Sequence, residues 1–430
     1  MGEKSESMND KNTSRRTFLQ AAGIAGVFTI LKPHVLRGSA ANSAVRVGLL
    51  GCGLRGGTDA TNIAQNTDAR VVALGDMFQD QIDKARQRFD QLAKSKGYAG
   101  VSQTFVGPKA FDEIVRSKEV DAVVIATPAY FHPEHLAAAV AAGKHVYLEK
   151  PVAVDVAGAK RVLETGKKAE GRLSLDVGFQ IRMAPPFVEL VKRIHDGALG
   201  EIAAAEAHFY CPQPEQRNWP NTSGNALRLR NWIEDRVLSG DIIVEQNIHA
   251  LDICNWVLKD HPLKAIGRGG RKGRGAPGDD CFSHFDVVFQ YPNDVDVSFS
   301  STQFGKGPLE VSERFFGTRG ASQSPYSGLL GIVGDQPWAW AGSEKSQDAA
   351  FSPSGSFSGN LAQADSEKQK AFIGSITGGQ FHNQAAIGVE SALTAMLGRQ
   401  AAYTGHEVTW EGLLRSNEHW ESGIDLCKLA

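Results

Sequence analysis

Cysteine is scarce in this chain and badly placed for cross-linking. Cys52, Cys211, Cys254, Cys281 and Cys427 are odd in number and never spaced as CxxC, so neither a disulfide framework nor a zinc site is indicated, and no metal is expected. Charge of one sign is also lacking. A formal net charge of -2 gives no electrostatic reason to invoke nucleic acid. No internal repeat is visible, and no apolar run approaches the roughly 20 residues that a membrane span requires. What is present, 42% hydrophobic and 22% charged residues over 430 positions, suffices for a large core and two or three domains.

The first segment reads as an address. Ser14-Arg15-Arg16-Thr17-Phe18-Leu19 carries two adjacent arginines ahead of the short apolar stretch Ala21–Leu31 and the small residues Ser39, Ala40 and Ala41. A basic start, an apolar centre and a small-residue exit make residues 1–43 a targeting segment with a cleavage site near its end. The pattern resembles the bacterial twin-arginine (Tat) signal, whose pathway exports folded proteins. That resemblance implies a periplasmic or otherwise extracytoplasmic location.

From Ala44 the chain alternates strands and helices. The apolar run Val45–Leu50 is followed by Gly51-Cys52-Gly53-Leu54-Arg55-Gly56, a helical stretch to about Gln65, and a second apolar run from Arg70 to Gly75 that ends at Asp76. This is a βαβ unit with GxGxxG at its first turn. The glycines allow a tight turn and close approach of backbone to a pyrophosphate, whose charge meets the N-terminal end of the next helix. Asp76, twenty residues after Gly56, can accept the ribose hydroxyls and repels the 2′-phosphate of NADP, which favours NAD. Arg55 keeps NADP open, since it can reach a diphosphate or a 2′-phosphate; it can equally be a solvated surface arginine.

The rhythm continues with Val120–Ala126, the loop Thr127-Pro128 to His132, a helix Pro133–Ala142 stopped by Gly143, and the strand His145-Val146-Tyr147-Leu148 that runs into Glu149-Lys150-Pro151. Pro151 ends that strand and disfavours helix at Lys150, placing a lysine at the carboxyl edge of a parallel sheet, where ligands bind. A helix from Asp155, its N-cap, to Ala169 and a last strand Arg172–Phe179 complete a six-stranded, doubly wound parallel (Rossmann) sheet over 44–178.

Residues 179–430 read as an α+β domain with an open, largely antiparallel sheet. Phe285, Val287, Phe289 and Tyr291, then Val295, Val297 and Phe299, alternate with polar residues, and Glu201–Cys211, Leu263–Arg268 and Val311–Phe316 add strands. His284 reads as a polar sheet residue. Ser239-Gly240-Asp241 opens a helix to about Leu258, with Glu245, His249 and Asp252 on one face. The segment 212–236, with Trp219, Arg228, Arg230, Asn231 and Trp232, is suited either to stacking on a sugar or to packing on its own domain. Residues 335–366 read as a long loop or arm, and Gln380–Leu397 as a helix.

Taken in order, Gly51-Cys52-Gly53-Leu54-Arg55-Gly56, Asp76, Thr127-Pro128 with His132, Glu149-Lys150-Pro151, and Gly178-Phe179-Gln180 with Arg182 resemble the Gfo/Idh/MocA family of NAD(P)-dependent sugar and inositol oxidoreductases. The resemblance runs from Ala44 almost to the C-terminus. It implies that Lys150 is the catalytic lysine. By the same matching Gly51, Gly53, Leu54, Arg55, Gly56, Asp76, Thr127, Pro128, His132, Glu149, Lys150 and Gln180 would line the cofactor, and Lys150, Arg182, Glu245 and His249 the substrate. The family's second domain has a helix with Asp-x-Gly-x-His-x-x-Asp, where this chain has Glu245-Gln246-Asn247-Ile248-His249-Ala250-Leu251-Asp252. The longer acid and the added Asn side chain put the substrate in doubt. Relatives often use the open face of the second sheet for oligomer contacts, which implies a homo-dimer or tetramer.

The chemistry so implied is hydride transfer between a carbinol carbon and a nicotinamide. A histidine, which titrates near 6.5, needs less tuning to act as base near neutrality than a lysine near 10.4. His249 is therefore read as base, Glu245 as its orienter, and Lys150 as the cation on the reacting oxygen, with Lys150 as the alternative base. Two other functions fit the same residues: an NAD-dependent glycoside hydrolase or lyase that oxidises transiently, and a sugar-binding protein on a dehydrogenase scaffold.

Overall fold

The computed structural model describes residues 44–213, 219–274, 278–307, 309–343 and 358–429. The targeting segment and residues 344–357 of the long loop lie outside the described residues. The first half runs β1 (Arg46–Leu50), α1 (Leu54–Asn66), β2 (Arg70–Asp76), α2 (Gln79–Lys96), β3 (Gln103–Val106), α3 (Ala110–Arg116), β4 (Ala122–Ile125), α4 (His132–Ala141), β5 (His145–Leu148), α5 (Val156–Ala169) and β6 (Leu175–Val177). The six strands are parallel in the order β3-β2-β1-β4-β5-β6. Helices cover both faces, so β4 is buried along its whole length, as its unbroken apolar run requires. Chain order reverses between β1 and β4, opening a crevice at their carboxyl ends. Asp155 caps α5 by accepting from the Gly158 N–H at 2.7 Å.

The second half runs α6 (Pro185–His195), β7 (Ile202–Cys211), α7 (Gly224–Arg230), α8 (Arg236–Ser239), α9 (Ile242–Glu245), α10 (Ile248–Leu258), β8 (Lys264–Gly270), β9 (His284–Tyr291), β10 (Val295–Gln303), β11 (Glu310–Gly317), β12 (Gly320–Gln323), β13 (Gly331–Gly334), β14 (Trp338–Ala339), α11 (Ala364–Gly378), α12 (Ala385–Thr404), β15 (Val408–Thr409) and α13 (Trp410–Ser416). Its nine-stranded sheet has the order β14-β13-β12-β11-β7-β10-β9-β8-β15 and is antiparallel except where β7 meets β10. Phe285, Val287 and Phe289 alternate inward and pair with Ser301, Phe299 and Val297. α12 lies close against this sheet because Gly398 has no side chain: a Cβ there would stand 2.5 Å from the Phe289 ring. The opposite face leaves Ile266, Val288, Phe316 and Val333 exposed.

Three expectations need correction. The helix read over 239–258 is two helices, α9 and α10, broken at Gln246 and Asn247. The helix read at 380–397 begins at Ala385 and runs to Thr404. Before it stands α11, whose first residues fall in the supposed arm and whose Phe372 and Ile373 join the apolar core around β1 and β2. Its apolar residues are few and its periodicity weak, so only the surface it packs on reveals it. No described helix is long and apolar enough to cross a membrane.

His135, on α4, sits between the rings of Phe111 and Phe131 at 4.8 and 5.8 Å and shares a 3.0 Å hydrogen bond with Thr127 Oγ1. Burial, with His132 beside it, pushes its pKa down to about 3. An unfolded histidine titrates near 6.5, so the unfolded chain binds a proton that the folded chain refuses. Stability should fall as pH drops from about 6.5 toward 3. Thermal melts across that range should show the slope, and His135→Gln should reduce it by the share of one proton, the rest coming from other buried histidines such as His132 and His249; an unchanged slope would assign the acid sensitivity elsewhere.

Candidate active site

The glycine turn after β1 is built for an anion. Gly51 has φ +92°, and a Cβ there would stand 2.5 Å from the Ala126 carbonyl oxygen, so only glycine lets β1 and β4 approach. A Cβ on Gly56 would come within 2.2 Å of the Gly51 carbonyl oxygen, so this glycine fixes α1 against the turn. Gly53 differs: no atom lies within 4 Å of the place its Cβ would take. It is the N-cap of α1, no side chain caps the helix, and no acid stands in the first turn. The open side of this turn therefore offers backbone N–H groups and a helix N-terminus to a phosphate. Asp76, at the end of β2, accepts from the N–H groups of Cys52 (2.7 Å) and Phe78 (2.9 Å), which fixes its carboxylate at the rim. These residues fit a dinucleotide.

Arg55 is only partly exposed and is aimed inward rather than out to solvent. Its guanidinium reaches Asp59 at 2.9 Å, Glu149 at 3.0 Å and Asp365 of α11 at 2.8 Å. Burial alone would lower its pKa, but the three carboxylates hold it well above the ordinary value. Burial raises Asp59 well above the carboxylate range despite Arg55. Glu149 goes the other way: Arg55 and Lys150 outweigh its burial and hold it below that range. With one guanidinium among three acids, Arg55 and Lys150 favour the ionised form of Glu149, while burial favours the protonated form of Asp59. Glu149 also accepts from the Lys150 backbone N–H at 3.1 Å, and a Cβ on Gly178 would stand 2.5 Å from its Oε1.

Lys150, joined to Pro151 by a cis peptide bond, turns its side chain into the second half of the molecule. Its ammonium donates to the Glu245 backbone carbonyl and, at 3.1 Å, to Glu245 Oε1. The break between α9 and α10 makes this possible. In a continuous helix the His249 N–H would take the Glu245 carbonyl; here it turns to Gln246, at 3.3 Å, and Lys150 takes the carbonyl instead. Gln246 is held by the side chain of Gln303, which Arg274 grips in turn at 3.0 Å. His249 is buried edge-on to Phe179, with ring centroids 6.2 Å apart. Burial first, then Lys150 and Arg55, push its pKa well below 6.5, so it is neutral near pH 7.

The remaining expected site residues divide. Glu245 faces Lys150, which corrects its reading as orienter of His249. Its Oε2 and Gln180 Oε1 are buried atoms with no protein partner among the described residues, as acceptors awaiting a ligand hydroxyl or amide would be. His132 is 1% exposed, with Nδ1 2.7 Å from the Pro151 carbonyl oxygen and Nε2 2.8 Å from that of Thr127. It braces the loops after β4 and β5 rather than facing a ligand. Arg182 is taken by Asp252, at 2.8 and 2.9 Å, and lies over the Trp256 ring, so Asp252 turns away from the stripe it was read with. In segment 219–236, Trp219, Arg228, Arg230 and Asn231 bond to protein partners, which is the packed alternative. Sequence reading missed Asp59, Asp365 and the Arg274–Gln303–Gln246 chain; Asp59 at i+4 from Arg55 was the only one with a local signal.

Topology and site together define a dinucleotide-binding domain whose crevice is completed by an open-sheet domain. Residues 45–177 match the family model described as "Oxidoreductase family, NAD-binding Rossmann fold", and residues 187–323 match the "GFO/IDH/MocA C-terminal domain". The chain belongs to the Gfo/Idh/MocA family. Among curated relatives, Inositol 2-dehydrogenase of Rhizobium meliloti is 28% identical over 237 residues, 53% of this chain and 62% of that protein. Inositol 2-dehydrogenase 4 of Saccharopolyspora erythraea is 35% identical over 237 residues, 55% and 60%. The matched part thus spans about 60% of these relatives' length. In fold, the chain is similar to scyllo-inositol dehydrogenase from Lactobacillus casei, solved with NAD(H) and scyllo-inositol, with a TM-score of 0.65 and 21% identity over 86% of this chain and 99% of that one. A levoglucosan dehydrogenase gives a TM-score of 0.65 at 17% identity, over 85% and 99%.

The glycine turn yields a contrast that can be measured. Gly53→Ala should keep the melting temperature, because its Cβ enters open space, yet weaken NAD binding tenfold or more, about 1.4 kcal/mol, by filling the phosphate cradle. Gly56→Ala should lower stability by about 1–3 kcal/mol, because its Cβ collides with backbone. Calorimetric titration and thermal melts separate the two; a Gly53→Ala protein that binds NAD normally would move the phosphate site elsewhere.

Proposed function

We propose that this protein is an NAD-dependent oxidoreductase acting on a CH–OH group of a sugar or polyol. The observation that carries the reading is the Lys150 ammonium, fixed at the end of a parallel strand beside the dinucleotide turn by Glu245 of the other domain, with a neutral His249 nearby. The names of relatives and neighbours, inositol and levoglucosan dehydrogenases, support a polyol or sugar substrate. NAD is favoured over NADP because Asp76 stands at the ribose end, while Arg55, the nearby cation, is held by three carboxylates.

In this mechanism Lys150 binds the substrate oxygen and stabilises the negative charge that grows on it. His249, neutral through burial, takes the hydroxyl proton. Glu245 orients Lys150 through its carbonyl and carboxylate, while its Oε2, without a protein partner among the described residues, would accept from a second substrate hydroxyl. When bound, NAD supplies the acceptor for the hydride that leaves the carbinol carbon.

The twin arginines support a location outside the cytoplasm, where nicotinamide cofactors are not supplied. With an on-rate on the order of 10⁶ M⁻¹s⁻¹, retention for about 10⁴ seconds requires a dissociation constant near 10⁻¹⁰ M. The cofactor would be loaded before export and recycled in place. Mass spectrometry and absorbance of protein purified from the periplasm test this directly: retained NAD(H) is the expected result, and protein without any nucleotide would sink the resident-cofactor reading. Cleavage of a glycoside without external acceptor would instead select the non-redox hydrolase or lyase. Arg15→Lys with Arg16→Lys should leave active protein in the cytoplasm; unchanged export would remove the twin-arginine assignment.

The pH profile distinguishes the two candidate bases. Wild-type kcat/KM should hold from neutrality to below pH 6.5 and fall only where His249 becomes protonated. His249→Ala should lose that limb. Lys150→Ala should lower the rate at least a hundredfold, about 3 kcal/mol. It should also move the limb up toward 6.5, because the ammonium that depresses His249 is gone. An intact limb in His249→Ala would make Lys150 the base.

A further inference from the structure

Asp76 marks the adenosine end of the crevice, which lies between the loops after β2 and β4. Two segments of the second half meet there. Arg230, at the end of α7, makes paired bonds to Asp80 beyond β2, at 2.6 and 3.2 Å. Its guanidinium is stacked between Phe78, 3.9 Å from the ring centroid, and Trp219, at 4.5 Å. Trp219 is held by a 2.9 Å bond from its Nε1 to Asn231 Oδ1. Two residues before Arg230, Arg228 is fixed by Asp235 at 2.6 Å and donates to the Ser422 carbonyl at 2.9 Å. Ser422 belongs to the tail after α13, and its N–H donates to the Tyr130 hydroxyl, beyond β4, at 3.3 Å.

The bonds run without a break from Asp80 through Arg230, α7, Arg228 and Ser422 to Tyr130. They tie the first turn of α2, just beyond β2, to the loop after β4 through chain that belongs to neither. An apolar cluster lies with this bridge: Leu229 and Leu238 cluster with Phe131, and Met77 and Phe78 of the β2 loop and Ile424 and Leu426 of the tail all pack against that cluster. Domain closure alone would not need both segments to converge on these two loops.

We propose that α7 and the tail form a latch across the adenosine end of the dinucleotide site, with the Arg230–Asp80 pair as its catch, and that NAD leaves only after the catch opens. The proposal rests on the NAD-dependent reading of the site and gives it a physical means of slow release. The guanidinium is suited to the task because it pairs with a carboxylate in two bonds while its faces stack on two rings, which a lysine cannot do.

Release of bound NADH from the full chain, followed by fluorescence after adding excess NAD, tests the latch. Arg230→Ala and Asp80→Asn should each speed release at least tenfold, and the double variant should be no faster than either, because both break the same catch. Arg230→Lys should fall between. Asp80 is 40% exposed, so Asp80→Asn should melt as the wild type does and keeps the test valid if Arg230→Ala unfolds. Raising salt should speed wild-type release and leave the variants unchanged. Release rates within twofold of wild type, or single effects that multiply in the double variant, would overturn the latch while the NAD reading stands. A wild-type protein that binds neither NAD nor NADH would overturn both.

Discussion

A guanidinium taken out of water is tolerated only where carboxylates surround it, and the arrangement around Arg55 fixes the geometry of most of the site. Its three partners come from its own helix, from the end of β5, and from α11, 310 residues further along the chain. Because Glu149 is held there, the backbone of Lys150 is held too, and Gly178 must stay without a side chain to leave room. The cluster carries more acid than base, and burial pushes the Asp59 carboxyl up within it. Arg55 therefore serves the phosphate turn by holding its surroundings rigid.

The second constraint is a helix that stops where it could have continued. Gln246 and Asn247 interrupt the run from Ile242 to Leu258 and release one carbonyl, which the lysine of the other half captures. Each half thus lacks part of the candidate site until the two are packed together. Burial first, and then the positive charge of the same lysine and of Arg55, pushes the His249 imidazole toward its neutral form. Pairing, proton affinity and domain packing are one electrostatic arrangement.

Covering the adenosine end is a separate matter from chemistry. Lys150 and Glu245 pair where β5 meets the α9–α10 break, whereas α7 and the tail converge beyond β2 and β4. Under the proposed reading, this separation would let residence of the nucleotide and turnover of the substrate vary independently.

Much of the fold and part of the site were legible in the residues themselves. Local chemistry determines the glycine turn, the acid after β2, the Asp155 cap and the strand that delivers Lys150, because each depends on neighbours within a few positions or on simple periodicity. Alternation likewise sufficed for β9 and β10. What depended on distant partners was not legible: that Arg55 would be claimed by Asp365, that Asp252 would take Arg182, that Glu245 would serve Lys150 instead of His249, and that α11 would return to the first domain. A charged side chain carries no mark of its partner in the sequence. The choice is made by which opposite charges the packed core brings within about 3 Å while excluding water, and only the tertiary structure does that.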